Sequence, residues 1–110
     1  MDRTLTDTGI QKIGKRFIDS ADHAAYTLDG TAQTIPLFRK TVIGNEIRIY
    51  IYFDEDVTGD IANVELIDTD GDTVAASGSR VFTKTPGKGL YIAFKYNIAE
   101  MEAEEANGLV

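Results

Sequence analysis

Asp68-x-Asp70-Gly71-Asp72 is the densest set of metal-ligand oxygens in this sequence. Hard cations such as calcium take clustered carboxylates, so Asp68, Asp70 and Asp72 are its candidate calcium ligands. The spacing excludes an EF-hand. Counted from Asp68, the glycine of that loop should stand sixth and its bidentate acid twelfth; Thr73 and Ser79 stand there instead. The same residues also write a turn, because Gly accepts positive φ and an Asp side chain bonds the backbone just ahead of it. Asp54, Asp56 and Asp60 form a second carboxylate group with the same two readings. We adopt the turn for both.

Other chemistry has less to work with. His23 is the only histidine and there is no cysteine. That excludes disulfides, thiolate zinc sites and cysteine nucleophiles, and one histidine alone does not make a transition-metal site. Asp22-His23-Ala24 reads as a solvent-facing loop. Thr85-Pro86-Gly87-Lys88-Gly89 lacks the spacing of a phosphate-binding loop and precedes a strand, so it reads as a hairpin loop. A pair of carboxylates for glycoside hydrolysis needs a cleft, which a domain of 110 residues rarely has, and there is no tryptophan to stack a sugar. Tyr50, Tyr52 and Tyr91 offer a contact surface for protein or sugar, or simple sheet packing. No enzyme and no cofactor is expected.

The elements that must position these residues are mostly strands. Glu46 to Phe53 alternates strictly, with Ile47, Ile49, Ile51 and Phe53 on one face and Glu46, Arg48, Tyr50 and Tyr52 on the other. Period two over eight residues predicts a strand with an aliphatic core face. Its second face is aromatic and charged, suited to another layer or a partner. Further strands are expected at Ala24 to Leu28, Ile35 to Ile43, Ile61 to Ile67 (Val64, Leu66 and Ala62 inward), Thr73 to Ala76, Val81-Phe82 and Leu90 to Ile98. In the last, Leu90, Ile92, Phe94 and Tyr96 alternate inward. Gly44-Asn45, Thr58-Gly59-Asp60 and Thr69 to Asp72 are the turns. Thr83 to Lys88 is a loop.

Thr6 to Ser20 reads as a short helix with Ile10, Ile13 and Phe17 as its apolar stripe. Thr6 or Thr8 is the N-cap, Gln11 completing a capping box with Thr8. Lys12, Lys15, Arg16 and Asp19 face elsewhere. Gly14 leaves room for a close neighbour. The expected fold is mainly β with one short N-terminal helix, an antiparallel β-sandwich or a small barrel. It is one domain over 1–110, with a helical segment at 1–21, a β domain at 22–98 and an acidic C-terminal tail at 99–110.

Net charge is −7. The first fifty residues carry seven Lys or Arg against six acids; the remainder carries four against twelve. An acidic surface repels phosphate backbones, so nucleic acid is not an expected partner. The basic residues of the first part (Lys12, Lys15, Arg16, Arg39, Lys40) suit an acidic surface on a neighbour. No apolar stretch is long enough to cross a bilayer, and MDRTLTDTG has no apolar signal region, so membrane insertion is not expected.

Three segments together resemble the N-terminal region of bacteriophage tail-fibre and baseplate-associated proteins. Leu5-Thr6-Asp7-Thr8-Gly9-Ile10-Gln11-Lys12-Ile13 resembles their start. Ile61-Ala62-Asn63-Val64-Glu65-Leu66-Ile67-Asp68-Thr69-Asp70-Gly71-Asp72 resembles their strand and turn. Lys88-Gly89-Leu90-Tyr91-Ile92-Ala93-Phe94-Lys95-Tyr96 resembles their closing strand. The order and approximate spacing agree over about residues 5–98. With no fibre shaft following, the resemblance implies an adaptor or decoration subunit of a phage or phage-like tail. It would be assembled in the bacterial cytoplasm and carried in the virion. The partners implied are other tail or baseplate proteins and further copies of the chain, as a trimer or hexamer. The contact residues expected are Arg48, Tyr50 and Tyr52, with Lys12 and Arg16 on the helix. The alternative reading is a carbohydrate-binding β-sandwich, calcium-assisted through Asp68, Asp70 and Asp72.

Overall fold

The computed structural model describes residues 5–99. Most of the acidic tail expected at 99–110 therefore lies outside the described residues, as does the start of the helical segment at 1–21. Helix α1 (Asp7–Ser20) leads directly into β1 (Ala21–Leu28), followed by β2 (Thr31–Pro36), β3 (Arg39–Ile43), β4 (Glu46–Phe53), β5 (Gly59–Asp68), β6 (Thr73–Ala76), β7 (Val81–Lys84) and β8 (Leu90–Asn97). All pairings are antiparallel.

The strands form two sheets. One has the order β2-β1-β5-β6, with β7 on the same side of β5 as β6 but further along; the other is β3-β4-β8. Their facing sides share one core: Ala24, Tyr26, Ile61, Val64 and Leu66 from the first, Ile47, Ile49, Ile51, Phe53, Ile92 and Phe94 from the second. Tyr26 meets Phe53 edge to face at 5.0 Å. Each of the large side chains fully removed from water contributes about 1.5–3 kcal/mol. The expected sandwich is what forms, and two separate sheets exclude the closed barrel.

The strict alternation of β4 does what its pattern predicts. Ile47, Ile49, Ile51 and Phe53 are all buried, and Glu46, Arg48, Tyr50 and Tyr52 are half-buried on the outer side. Elsewhere several expectations need correction, Tyr96 among them, since it is exposed at the end of β8 and not inward. The stretch expected as one strand at Ile35 to Ile43 is two strands in different sheets. Pro36 fixes φ and has no N–H to donate, so it closes β2; two residues later Phe38 N–H donates to Tyr50 O at 2.8 Å and opens β3 in the other sheet.

Another correction is in β5, where Ile61 rather than Ala62 faces the core. Asn63 has φ of 52°, and the pairing with β1 shifts register between Ala25 and Thr27. The extra residue of this bulge inverts the alternation. A further one concerns β1, which begins at Ala21, so His23 lies on a strand and not in a loop. Its Nδ1 is 2.8 Å from Asp22 Oδ2. The last is that β7 runs on to Lys84, into the stretch expected as loop.

Helix α1 closes the end of the sandwich at the Gly44-Asn45 turn. Thr6 is the N-cap, its Oγ1 accepting from Gly9 N–H at 3.0 Å. Gln11 instead donates from Nε2 to Gly44 O. Ile10 and Gly14 are the buried residues of the helix. A Cβ on Gly14 would stand 2.8 Å from Val42 Cγ1, so the helix can sit this close to β3 only with glycine there. Phe17 packs edge-on against Tyr96 at 6.3 Å. Ile13, expected in the apolar stripe, is 45% exposed at the margin, because contact runs through Ile10, Gly14 and Phe17 instead.

Candidate functional site

The outer face of the β3-β4-β8 sheet carries the densest exposed aromatic surface among the described residues. Tyr52 on β4 and Tyr91 on β8 are directly opposed in register, with ring centroids 4.6 Å apart. Phe38, in the segment that crosses between the sheets, completes the cluster at 5.6 Å from Tyr52 and 5.4 Å from Tyr91. Phe38 and Tyr91 remain 56% and 57% exposed. Gly89 makes room for this arrangement. A Cβ there would collide with the Tyr52 ring and hydroxyl, so the loop before β8 passes under the tyrosine.

The remainder of the face is set by strand parity. Arg39 pairs with Tyr50, Thr41 with Arg48 and Lys95 with Arg48, which puts Arg39, Arg48 and Lys95 on the same side as the tyrosines. Glu46 is the one acid in this set. Arg48 Nε donates to Glu46 Oε1 at 2.7 Å. That hydrogen bond, more than anything else, holds the Glu46 carboxyl below the usual carboxylate range, with charge from Arg48 and Lys95 adding to it. The same bond, then the neighbouring Tyr50, pushes the Arg48 guanidinium above its ordinary value. The result is an aromatic, net positive face on a protein of net charge −7.

The structure divides the expected contact residues between two places. Arg48, Tyr50 and Tyr52 share this face. Lys12 and Arg16 are exposed on α1, and Lys12 lines a groove between α1 and β3. Phe38 was the residue that sequence patterning missed, because it was read as part of a continuous strand. The unbroken apolar run Ile35-Pro36-Leu37-Phe38, without alternation, was the signal that the chain changes sheets there.

The carboxylate groups behave as turns. Asp68 Oδ1 accepts the backbone N–H of Asp70 at 3.0 Å and of Asp72 at 2.9 Å. Gly71 N–H donates to Asp68 O, with Gly71 at φ of 87°. Ligand atoms of Asp68, Asp70 and Asp72 do lie within 4.8 Å of one another, but one Asp68 oxygen is committed to building the loop. Asp54, Asp56 and Asp60 do not form a second cluster. Asp54 Oδ1 accepts Asp56 N–H, while Asp60 sits on β5 and accepts from Thr83 Oγ1 at 3.0 Å. The acidic loop between β4 and β5 is instead fastened by Lys84, only 3% exposed. Its Nζ donates to Val57 O and Thr85 O, both at 2.8 Å.

Among the described residues no helix is long and apolar enough to cross a membrane. No family model matches this chain, and no curated protein or solved structure matches it either.

Proposed function

We propose that this protein is a non-enzymatic assembly subunit that works by docking the outer face of its β3-β4-β8 sheet onto an acidic protein surface. The observation that carries this reading is the exposed cluster of Phe38, Tyr52 and Tyr91 beside Arg39, Arg48 and Lys95. Aromatic residues and arginine are the types enriched at the centres of protein interfaces. The rings also pack on one another at tilted or edge-on angles. That makes a raised apolar knob, where sugar stacking would favour open, parallel ring faces.

A net positive face does not pair with its own copy face to face. It fits a head-to-tail contact with the acidic loops of a second copy, such as Asp54-Glu55-Asp56. Contacts of that kind close into rings when the rotation allows. Together with the resemblance of residues 5–98 to tail-fibre and baseplate-associated proteins, this supports a structural subunit of a phage or phage-like tail, joining copies of itself and neighbouring tail proteins.

The absence of cysteine gives a direct test. Ala93→Cys places a single thiol on the outer face between Tyr91 and Lys95. Its modification by a thiol reagent should be slow in concentrated protein and speed up on dilution. A rate that does not change with concentration contradicts docking through this face.

A further inference from the structure

Strand β2 ends its sheet, and among the described residues its outer edge pairs with nothing. The hairpin to β1 decides which backbone groups stand on that edge. Asp29-Gly30 is a two-residue turn with φ of 49° and 84°, the kind that closes on a hydrogen-bonded pair, here Leu28 and Thr31. Asp29 N–H, one position on, points the other way and donates to Asp60 O on β5 at 2.9 Å. Bonded pairs then recur at every second position: Leu28 with Thr31, Tyr26 with Gln33, Ala24 with Ile35. Ala32, Thr34 and Pro36 therefore turn their backbone groups outward. Pro36 has no N–H, so its place on the open edge costs the fold no bond.

This edge carries no charge. Its six residues are Thr, Ala, Gln, Thr, Ile and Pro, on a protein of net charge −7. The end strands of the other sheet bear Arg39, Lys40 and Lys95, and β6 and β7 have only four residues each. Proteins ordinarily guard a free edge with charge, above all lysine, or with a bulge. β2 has neither. Its pairing with β1 runs without a register shift, and its first four residues are all exposed. The carboxylate of the turn is committed elsewhere, since Asp29 Oδ1 accepts Asp60 N–H at 2.9 Å.

Such an edge is its own complement. Set antiparallel to a second copy, Ala32 can stand opposite the partner's Thr34, and Thr34 opposite the partner's Ala32. Both pairs are then of the hydrogen-bonded kind, with about four N–H···O bonds between the strands. Pairing Thr34 with its own counterpart would set Ala32 against Pro36, which lacks the donor. Pairing Ala32 with its own counterpart would set Thr34 against Gly30 in the turn. Pro36 and the turn thus select one register, in which Gln33 faces its own counterpart across a two-fold axis.

We infer that β2 pairs with β2 of a second copy in this register, joining the β2-β1-β5-β6 sheets of two molecules into one continuous sheet. The absence of charge lets two acidic molecules approach here. The contact is isologous, unlike the head-to-tail contact of the aromatic face. One strand of six residues spans about 20 Å at roughly 3.3 Å per residue, too small a contact to hold a dimer unaided. It holds when a ring presents several copies at once. The inference therefore rests on the ring proposed above and sets two rings back to back, a hexamer where the ring is a trimer.

Cysteine cross-linking together with molar mass by light scattering tests this. Residues opposed as Gln33 is to its counterpart stand about 4.5 Å apart at Cα, within disulfide reach, and the chain has no other cysteine. Gln33→Cys should give a disulfide-linked pair of chains when treated with oxidised glutathione. Thr31→Cys, about 13 Å from its counterpart in this register, should not. Thr34→Pro removes an N–H that the fold does not use and, by symmetry, two of the roughly four bonds between strands. It should halve the mass of the assembly and keep cooperative unfolding. An assembly whose mass survives Thr34→Pro, with Gln33→Cys not cross-linked, overturns the inference and leaves the ring standing. A dimer linked through Gln33→Cys with no larger species supports the strand pairing and overturns the ring. A parent that is monomeric at every concentration, with no cross-link, overturns both.

Discussion

The ring of Tyr52 lies 4.6 Å from that of Tyr91, across a directly opposed pair of positions on β4 and β8. Such a cross-strand pair helps to hold the sheet in register, yet Tyr91 remains mostly open to solvent. The pair is therefore positioned by the fold without being consumed by it. That distinction separates the outer face from the isoleucine face of the same strand, where every side chain is spent on the core.

The contact of α1 with β3 depends on one missing methyl group. Gly14→Ala would ordinarily strengthen a helix by about 1 kcal/mol. Here the new Cβ meets Val42 Cγ1 at 2.8 Å, and overpacking of that kind costs about 1–3 kcal/mol. The expected outcome is net destabilisation, measured by denaturant unfolding. Val42→Ala in the same chain should relieve it, with a coupling of about 1 kcal/mol or more in the double-mutant cycle.

Asp68 acts through its oxygen as a backbone acceptor, not through its charge. Asp68→Asn keeps an acceptor at the same place and should change stability by less than about 0.5 kcal/mol. Asp68→Ala leaves two loop N–H groups without that partner and should cost about 1 kcal/mol. Thermal unfolding of both variants, with and without calcium, checks this. A calcium-dependent stabilisation of the parent protein that both variants lose would instead support the carbohydrate-binding, cation-assisted reading.

The Glu46–Arg48 pair carries a pH signature. Arg48 holds the Glu46 carboxyl below the usual carboxylate range. A group whose folded value is depressed adds stability above its unfolded value, and that stability is lost as pH falls through the folded value. Glu46→Gln should therefore be slightly less stable than the parent at neutral pH. The difference should close on acidification below the carboxylate range. The effect is small, since the pair is partly exposed and screened by salt. A difference that persists unchanged into acid would point to packing in place of charge.

Much of this architecture is written in local pattern. β4 declares its two faces by alternation, and the Asp-Gly and Gly-Asn turns declare the ends of strands. What alternation does not encode is a change of parity or of sheet. Asn63 inverts the facing of β5 by taking a left-handed conformation, a choice that depends on the pairing with β1. Pro36 looks like the start of a strand by its tolerance there, and is the end of one because the next N–H finds its partner on β4. The aromatic cluster inherits the same blind spot. Tyr52 and Tyr91 were legible as exposed-face residues, but their meeting depends on the register of strands nearly forty positions apart, and Phe38 on the crossing.

The central claim is that the outer face of the β3-β4-β8 sheet joins one copy of this protein to the next. Its most direct test is molar mass by light scattering across a concentration series, for the parent and for Tyr52→Ser with Tyr91→Ser. The account predicts that the parent assembles into a defined trimer or hexamer, that the double variant stays monomeric, and that the variant keeps its cooperative unfolding. A parent that is monomeric at every concentration, or a folded variant that assembles equally well, contradicts it.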